Sequence, residues 1–214
     1  MVAHPPFSIP YWDESESQLD STLASTPPSP NAAMSSERVS FPNANGETLS
    51  ARLDLPPDQK VFACALFAHC FTCSKNLKAV GSISEALNRQ GIAVLRFDFT
   101  GLGDSEGNFA NTNFSSNVDD LVAAGEFMAS QMEAPAILVG HSLGGAAVLH
   151  AAHRLPSVRA VATIGAPADP QHVAHLLADS RDEIEASGQA TVTLAGRSFT
   201  IKKQFLDEIG RAHV

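Results

Sequence analysis

The stretch Ala136-Ile137-Leu138-Val139-Gly140-His141-Ser142-Leu143-Gly144-Gly145-Ala146-Ala147-Val148-Leu149 decides the reading of this chain. The apolar run at its start suits a strand buried on both faces, and the small and apolar residues after Gly145 suit a tightly packed helix. Between them lies G-x-S-x-G, in the order strand, motif, helix that sets a serine hydroxyl on a sharp turn. Such a turn forces strained backbone angles on Ser142, and Gly140 and Gly144 omit the Cβ atoms that would clash where strand and helix crowd together. The start of the helix also offers N–H groups that have no intrahelical acceptor, and the Leu143 amide is placed to donate to an oxyanion. A Gly-Ser turn that only joins strand to helix is the alternative, and the buried strand directly before the motif argues against it.

Outward from this point, Val61 to Ala68, Ile92 to Phe99 and Val158 to Gly165 are apolar runs of the same kind, each expected as a strand covered on both faces. Helical patterns separate them. Ser74 to Gln90 places Leu77, Val80, Ile83 and Leu87 on one face with Gly91 as terminator, and Asn117 to Met132 groups Val118, Leu121, Val122, Gly125 and Met128. Strand and helix alternating at these lengths predict right-handed crossovers and an α/β fold, with a mostly parallel sheet and helices on both faces. Ahead of this, Arg38 to Phe41 and Leu49 to Leu53 alternate around the turn pair Asn45-Gly46 and predict an antiparallel hairpin. An open α/β sheet presents its chemistry at the carboxyl ends of its strands, so the loops after Ala68, Phe99 and Gly140 are the places to search.

The loop Ala68-His69-Cys70-Phe71-Thr72-Cys73 holds C-x-x-C between strand and helix, a setting that redox pairs share. Two partly buried free thiols are expected, with a functional disulfide as the alternative. A zinc site built on these cysteines and His69 lacks a second spaced pair of ligands, so no metal is expected. His69 reads as a hydrogen-bonding residue that shapes the loop rather than as a general base. In the other loop, Asp98-Phe99-Thr100-Gly101-Leu102-Gly103-Asp104-Ser105, the glycines permit a tight turn, while the absence of a P-loop lysine at the right spacing excludes a phosphate cradle.

Composition narrows the function classes. With 44% hydrophobic and 17% charged residues, the 214-residue chain can bury one domain core. A formal net charge of -9 and no basic run longer than Lys202-Lys203 argue against nucleic acid and anionic lipid as partners. No stretch reaches the roughly 18 apolar residues of a membrane span, and the start has neither the basic nor the apolar region of a secretory signal. The odd count of cysteines, Cys64, Cys70 and Cys73, argues against a secreted disulfide scaffold and for the cytoplasm. Residues 1–35, rich in Pro, Ser and Thr around Pro27-Pro28-Ser29-Pro30, are expected as a disordered leader, with Met34 as an alternative start.

Taken together, His69 to Lys75, Arg96 to Phe109, Asn111 to Asn117, Gly140 to Gly145 and Ile164 to Pro170 resemble the α/β-hydrolase found fused ahead of an OsmC-like (osmotically inducible protein C) peroxiredoxin domain in bacteria. The resemblance covers about residues 36 to 208. It implies the α/β-hydrolase fold and a serine hydrolase of the carboxylesterase or thioesterase kind, with a small-molecule acyl substrate, no cofactor in the hydrolase portion and a fused OsmC-like domain in the intact protein. It also implies that the Phe71 amide is the second oxyanion donor. Such hydrolases commonly show His-Gly-x here, and this chain carries Cys70 in place of the glycine. The segment from Asp98 to Ser105 likewise follows D-x-R-G-x-G-x-S with Thr100 in place of arginine.

In this fold the triad order is serine, acid, histidine, the latter two after the seventh and eighth strands. Counted from the hairpin, Val158 to Gly165 is strand six. Residues 168–208 read as a cap-like segment, helical around His172 to Glu185 and then alternating over Ala190 to Leu194 and Ser198 to Ile201 around Gly196. The expectation is therefore a hydrolase domain, residues 36–208, truncated before its acid and histidine and inactive as it stands, with residues 209–214 as a non-native tail. Asp169 follows strand six, where some hydrolases place their acid, but has no histidine to orient. His150, His153, His172, His175 and His213 read as packing or solvated residues. A non-catalytic binding module that keeps the fold, and a thiol redox protein using Cys70 and Cys73, are the competing functions.

Overall fold

The computed structural model of the chain describes residues 35–58, 60–70, 73–168, 177–194 and 196–209. The leader up to residue 34, Phe71, Asp169, His172, His175 and the tail from Gly210, with His213, lie outside the described residues, while Ser35 already belongs to the first strand.

Strands β1 (Ser35–Pro42) and β2 (Thr48–Leu55) form the expected antiparallel hairpin, with Gly46 at a φ of 81° in its turn and Asn43 Oδ1 accepting from the Asn45 and Glu47 amides. β3 (Ala63–Ala68), β4 (Ile92–Phe97), β5 (Ile137–His141) and β6 (Ala160–Ile164) run parallel, and the sheet order is β1-β2-β4-β3-β5-β6. The alternation along β3 sorts its side chains between two cores. Leu66 and Ala68 join the larger one with Leu121, Met128 and Val148, while Ala65 and Phe67 join the smaller one with Val80 and Val94. Each fully buried leucine or phenylalanine contributes about 1.5–3 kcal/mol of transfer free energy, so the central strands are held from both sides.

Helix α1 (Lys78–Asn88) begins four residues later than the apolar spacing predicts, because Lys75 is drawn into a buried polar network and the chain before Lys78 forms turns instead. Leu77, expected on the apolar face, is left exposed, whereas Gly91 ends the helix at a φ of 75° as expected. Helix α2 (Phe114–Gln131) begins earlier than expected, at a capping box in which Asn113 Oδ1 accepts from the Ser116 amide and Ser116 Oγ accepts from the Asn113 amide. Helix α3 (Leu143–Ala152) follows β5 directly.

Strand β6 departs from its expected double burial: Ala160 and Ala162 to Ile164 are exposed. It pairs only with β5, so its outer edge has no strand partner among the described residues. Beyond it, α4 (Arg181–Ser187), β7 (Gln189–Leu194), β8 (Arg197–Lys202) and α5 (Lys203–Ile209) follow in order. β7 and β8 form a separate antiparallel sheet with Gly196 at a φ of 75° in its turn. Their apolar side packs on the main core, with the Phe199 ring edge-on to Phe109 at 5.3 Å. Glu208 accepts from Asn113 Nδ2 and the Ser115 amide at the start of α2.

Candidate active site

The registers Ala68↔Gly140 and Phe67↔Arg96 bring the ends of β3, β4 and β5 side by side, so the three loops singled out in the sequence converge. Ser142, between β5 and α3, has φ 54° and ψ -125°, and it alone among the described non-glycine residues has positive φ. Such a conformation costs on the order of 1–3 kcal/mol and persists only where its surroundings over-determine it. Those surroundings are backbone. The Ser142 amide donates to the Ile164 carbonyl at 2.9 Å, and the Ser142 carbonyl accepts from the Gly145 amide at 2.8 Å.

The two motif glycines explain why the turn can exist. A Cβ on Gly140 would come within 2.5 Å of the Gly144 carbonyl oxygen and 2.6 Å of Gly145 Cα. A Cβ on Gly144 would come within 2.5 Å of the His69 carbonyl oxygen and 2.6 Å of that of Ala68. The start of α3 therefore sits directly on the end of β3. Ser142 remains partly exposed while Leu143 is buried, and the Leu143 N–H lies in the first helical turn, where no intrahelical acceptor is available. A small crevice lined by His69, Phe99, Asn117, Leu143, Gly144 and Ala147 borders the elbow.

His69 is almost fully buried, and its Nδ1 donates to the Cys70 carbonyl at 2.6 Å, which fits a residue that shapes the loop. Cys70 and Cys73 are joined by a disulfide, a correction to the expected free thiols. A turn with the Cys73 amide donating to the Cys70 carbonyl brings their Cα atoms to 5.3 Å, inside the range a disulfide spans. His69 is not the third donor near these sulfurs. A ring nitrogen of His141 lies within 4.8 Å of both, and these three residues are the one group among the described residues whose donor atoms lie close enough together to share a metal ion. Closed as a disulfide, the sulfurs offer no thiolate to a metal.

Lys75 was not among the residues singled out from the sequence. Its side chain is buried, and its ammonium pairs with Asp98 Oδ2 and, at 2.9 Å, with Asp104 Oδ2. Asp98 also accepts from the Lys75 amide at 2.7 Å and the Asp104 amide at 3.0 Å, and His69 Nε2 stands 3.4 Å away, long for a hydrogen bond. Burial alone would raise the Asp98 pKa, but His69, Lys75 and the two amides outweigh it and hold the carboxyl well below the usual range. The turn beside it needs its glycines: a Cβ on Gly103 would fall 2.1 Å from Asp98 Oδ2, and one on Gly101 2.1 Å from the Phe109 nitrogen. Arg96 extends the network by donating to the Lys75 carbonyl and pairing with Asp54. Asp98 thus ties the loop carrying His69 and Lys75 to the Gly101-Gly103 turn.

The other described histidines are occupied or remote. His150 packs edge-on against Phe114, and His153 is exposed. A second cavity of about 90 Å³ is lined by Asn43, Glu47, Thr100, Asn111, Asp119 and Asp120, among others. Asp120, buried there, accepts from the Thr100 amide and hydroxyl, and burial pushes its carboxyl up to about 6 despite these donors. Among the described residues no helix is long and apolar enough to cross a membrane.

The profile of the family described as serine aminopeptidase, S33, matches residues 66–195. Among curated proteins, the mitochondrial palmitoyl-protein thioesterase ABHD10 of Mus musculus is 38% identical over 120 residues, 54% of this chain and 39% of that protein. Its counterpart in Rattus norvegicus is 33% identical over 128 residues, 58% of this chain and 42% of that protein. The matches thus span about two fifths of the length of these relatives. Among solved structures, the esterase domain of a Rhodothermus marinus protein is 55% identical with a TM-score of 0.64, covering 84% of this chain and 70% of that one. The mouse α/β-hydrolase domain-containing protein 10 is 26% identical with a TM-score of 0.65, covering 83% of this chain and 71% of that one. The chain belongs to the serine aminopeptidase S33 family and has the α/β-hydrolase fold.

Proposed function

We propose that the protein hydrolyses ester or thioester bonds of small acyl substrates, with Ser142 as the nucleophile. The observation that carries this is the positive φ of Ser142 on a turn whose flanking glycines leave no room for a Cβ. Ser142 Oγ would attack the acyl carbonyl, and the Leu143 and Phe71 amides would hold the tetrahedral oxyanion. The acid and the histidine that relay the proton are assigned to residues outside those described here. His69 and Asp98 serve as positioning residues for the loop that carries Phe71. Esterase and palmitoyl-thioesterase names among the relatives support the bond class.

A fluorophosphonate probe tests the assignment. In the full-length gene product labelling should fall on Ser142 and vanish in Ser142→Ala. Turnover of p-nitrophenyl esters and acyl thioesters by the full-length gene product should fall roughly a thousandfold or more in the same variant. Labelling on another residue, or turnover that survives the substitution, would refute it.

A further inference from the structure

We propose that Cys70 and Cys73 form a reversible dithiol–disulfide site, with His141 as its proton carrier, and that its redox state sets the reactivity of Ser142. The coupling to Ser142 rests on the function proposed above; the thiol chemistry does not. Among the described cysteines, Cys64 is free and buried, so the disulfide forms selectively in the C-x-x-C segment at the end of β3. Cys73 is only partly buried whereas Cys70 is buried, which leaves Cys73 Sγ as the sulfur an incoming thiolate reaches. A ring nitrogen of His141 lies within 4.8 Å of both sulfurs, and the buried Nδ1 of that ring has no hydrogen-bond partner among the described residues. An imidazole in this position can pass a proton to and from a thiol through one bridging water or a small shift of the ring. His141 is joined by one peptide bond to Ser142, and Gly144 rests on the Ala68 and His69 carbonyls just ahead of Cys70, so the sulfurs and the elbow share one packed unit.

The exchange balances with a low-molecular-weight thiol such as glutathione. Its thiolate attacks Cys73 Sγ, the protein S–S bond breaks, and Cys70 leaves as a thiolate that receives a proton through His141. A second glutathione thiolate attacks the mixed disulfide, giving glutathione disulfide and the Cys73 thiol. Two electrons and two protons pass to the protein, and the reverse sequence closes the pair. Opening the pair frees the loop whose Ala68 and His69 carbonyls bear the start of α3, and with it the amide aimed at the developing oxyanion. Reduction should therefore slow reaction at Ser142 on the order of fivefold, about 1 kcal/mol in barrier.

The full chain equilibrated over a range of glutathione to glutathione disulfide ratios, then acid-quenched, unfolded and alkylated, should carry one label when oxidised and three when reduced, since it has three cysteines of which Cys64 stays free. His141→Asn should slow the exchange, and Cys73→Ser should abolish the transition. Fluorophosphonate labelling of Ser142 in the full-length gene product, timed in the two states, should differ as stated, and the wild-type pair of measurements carries the test if a variant does not fold. A pair that stays closed at every ratio until the protein unfolds overturns the proposal, as does an unchanged labelling rate. If Ser142 is labelled in neither state, the hydrolase reading and the coupling fall together, and the label count still decides the thiol site.

Discussion

Replacing Lys75 with methionine removes the one ammonium that faces Asp98 and leaves the shape of the side chain nearly unchanged. Lys75 is 3% exposed and Asp98 is 0% exposed, so the variant strands a carboxylate where water cannot replace the lost partner. Breaking a buried pair from one side costs about 3–5 kcal/mol. Asp98 keeps the Lys75 and Asp104 amides, which places the expected loss near the lower end, about 3 kcal/mol. The pH dependence follows from the sign of the shift. In the parent chain Asp98 titrates far below an unfolded aspartate, so its stabilisation is present above the unfolded pKa and is lost only as pH falls through the depressed folded value. In the variant burial meets fewer opposing donors and the carboxyl titrates higher. The deficit is therefore largest near pH 7 and shrinks once the pH drops below that raised value. Urea denaturation of both proteins at pH 7.5 and pH 4.5 measures it. A loss under about 1 kcal/mol at pH 7.5, or the same loss at both pH values, would refute the view that Lys75 acts by compensating a buried charge.

Gly144→Ala should cost about 2–3 kcal/mol or more, since its Cβ would meet the Ala68 and His69 backbone carbonyls at the end of β3, which cannot yield, and it should depress probe labelling of Ser142 by moving the start of α3. Gly81→Ala is the contrasting case within α1: nothing lies within 4 Å of the added Cβ, and thermal melts should show a gain of about 0.5–1 kcal/mol. Asp120 has the opposite linkage to Asp98. Its folded pKa of about 6 lies above the unfolded value, so its contribution is complete below the unfolded pKa and is lost as pH rises through about 6. Asp120→Asn should accordingly gain stability relative to the parent by about 1–2 kcal/mol between pH 5 and pH 8, and a difference that stays flat across that window would count against a buried titrating carboxyl.

What the sequence disclosed were features whose causes lie close together in the chain. The elbow was legible because its requirements, a buried strand, two residues without Cβ atoms and a small-residue helix, all fall within Ala136 to Leu149. The hairpin was legible through Asn45-Gly46 for the same reason. Lys75 was not, because its role is set by Asp98, 23 residues away, and a lysine two residues past a C-x-x-C reads as an exposed one. The late start of α1 is the local trace of that distant contact. The double burial expected of β6 failed because an apolar run reports what a strand could bury and is silent about its neighbours. The sulfurs of Cys70 and Cys73 were legible as a pair, but their neighbour was not, since His141 reaches them only through the register of β3 with β5.

That register also explains how an open sheet edge and a strained nucleophile coexist. The Ser142 amide is held by the Ile164 carbonyl, the last residue of the exposed edge strand β6, while Gly144 in the first turn of α3 rests on the Ala68 and His69 carbonyls at the end of β3, on the other side of β5. One clamp is a single hydrogen bond from a strand paired on one edge among the described residues; the other is close packing against a strand buried on both faces. Strain on the order of 1–3 kcal/mol therefore leans on unequal supports, and the β3 side must bear most of it. The Asp98 network braces this stronger support, because it fixes the loop that leaves β3 at His69 and Lys75. Loss of Lys75 should then reach Ser142 through packing as well as through stability. The labelling rate of a Lys75→Met protein that is fully folded at low temperature should fall, whereas changes on the outer edge of β6 should leave that rate nearly unaltered.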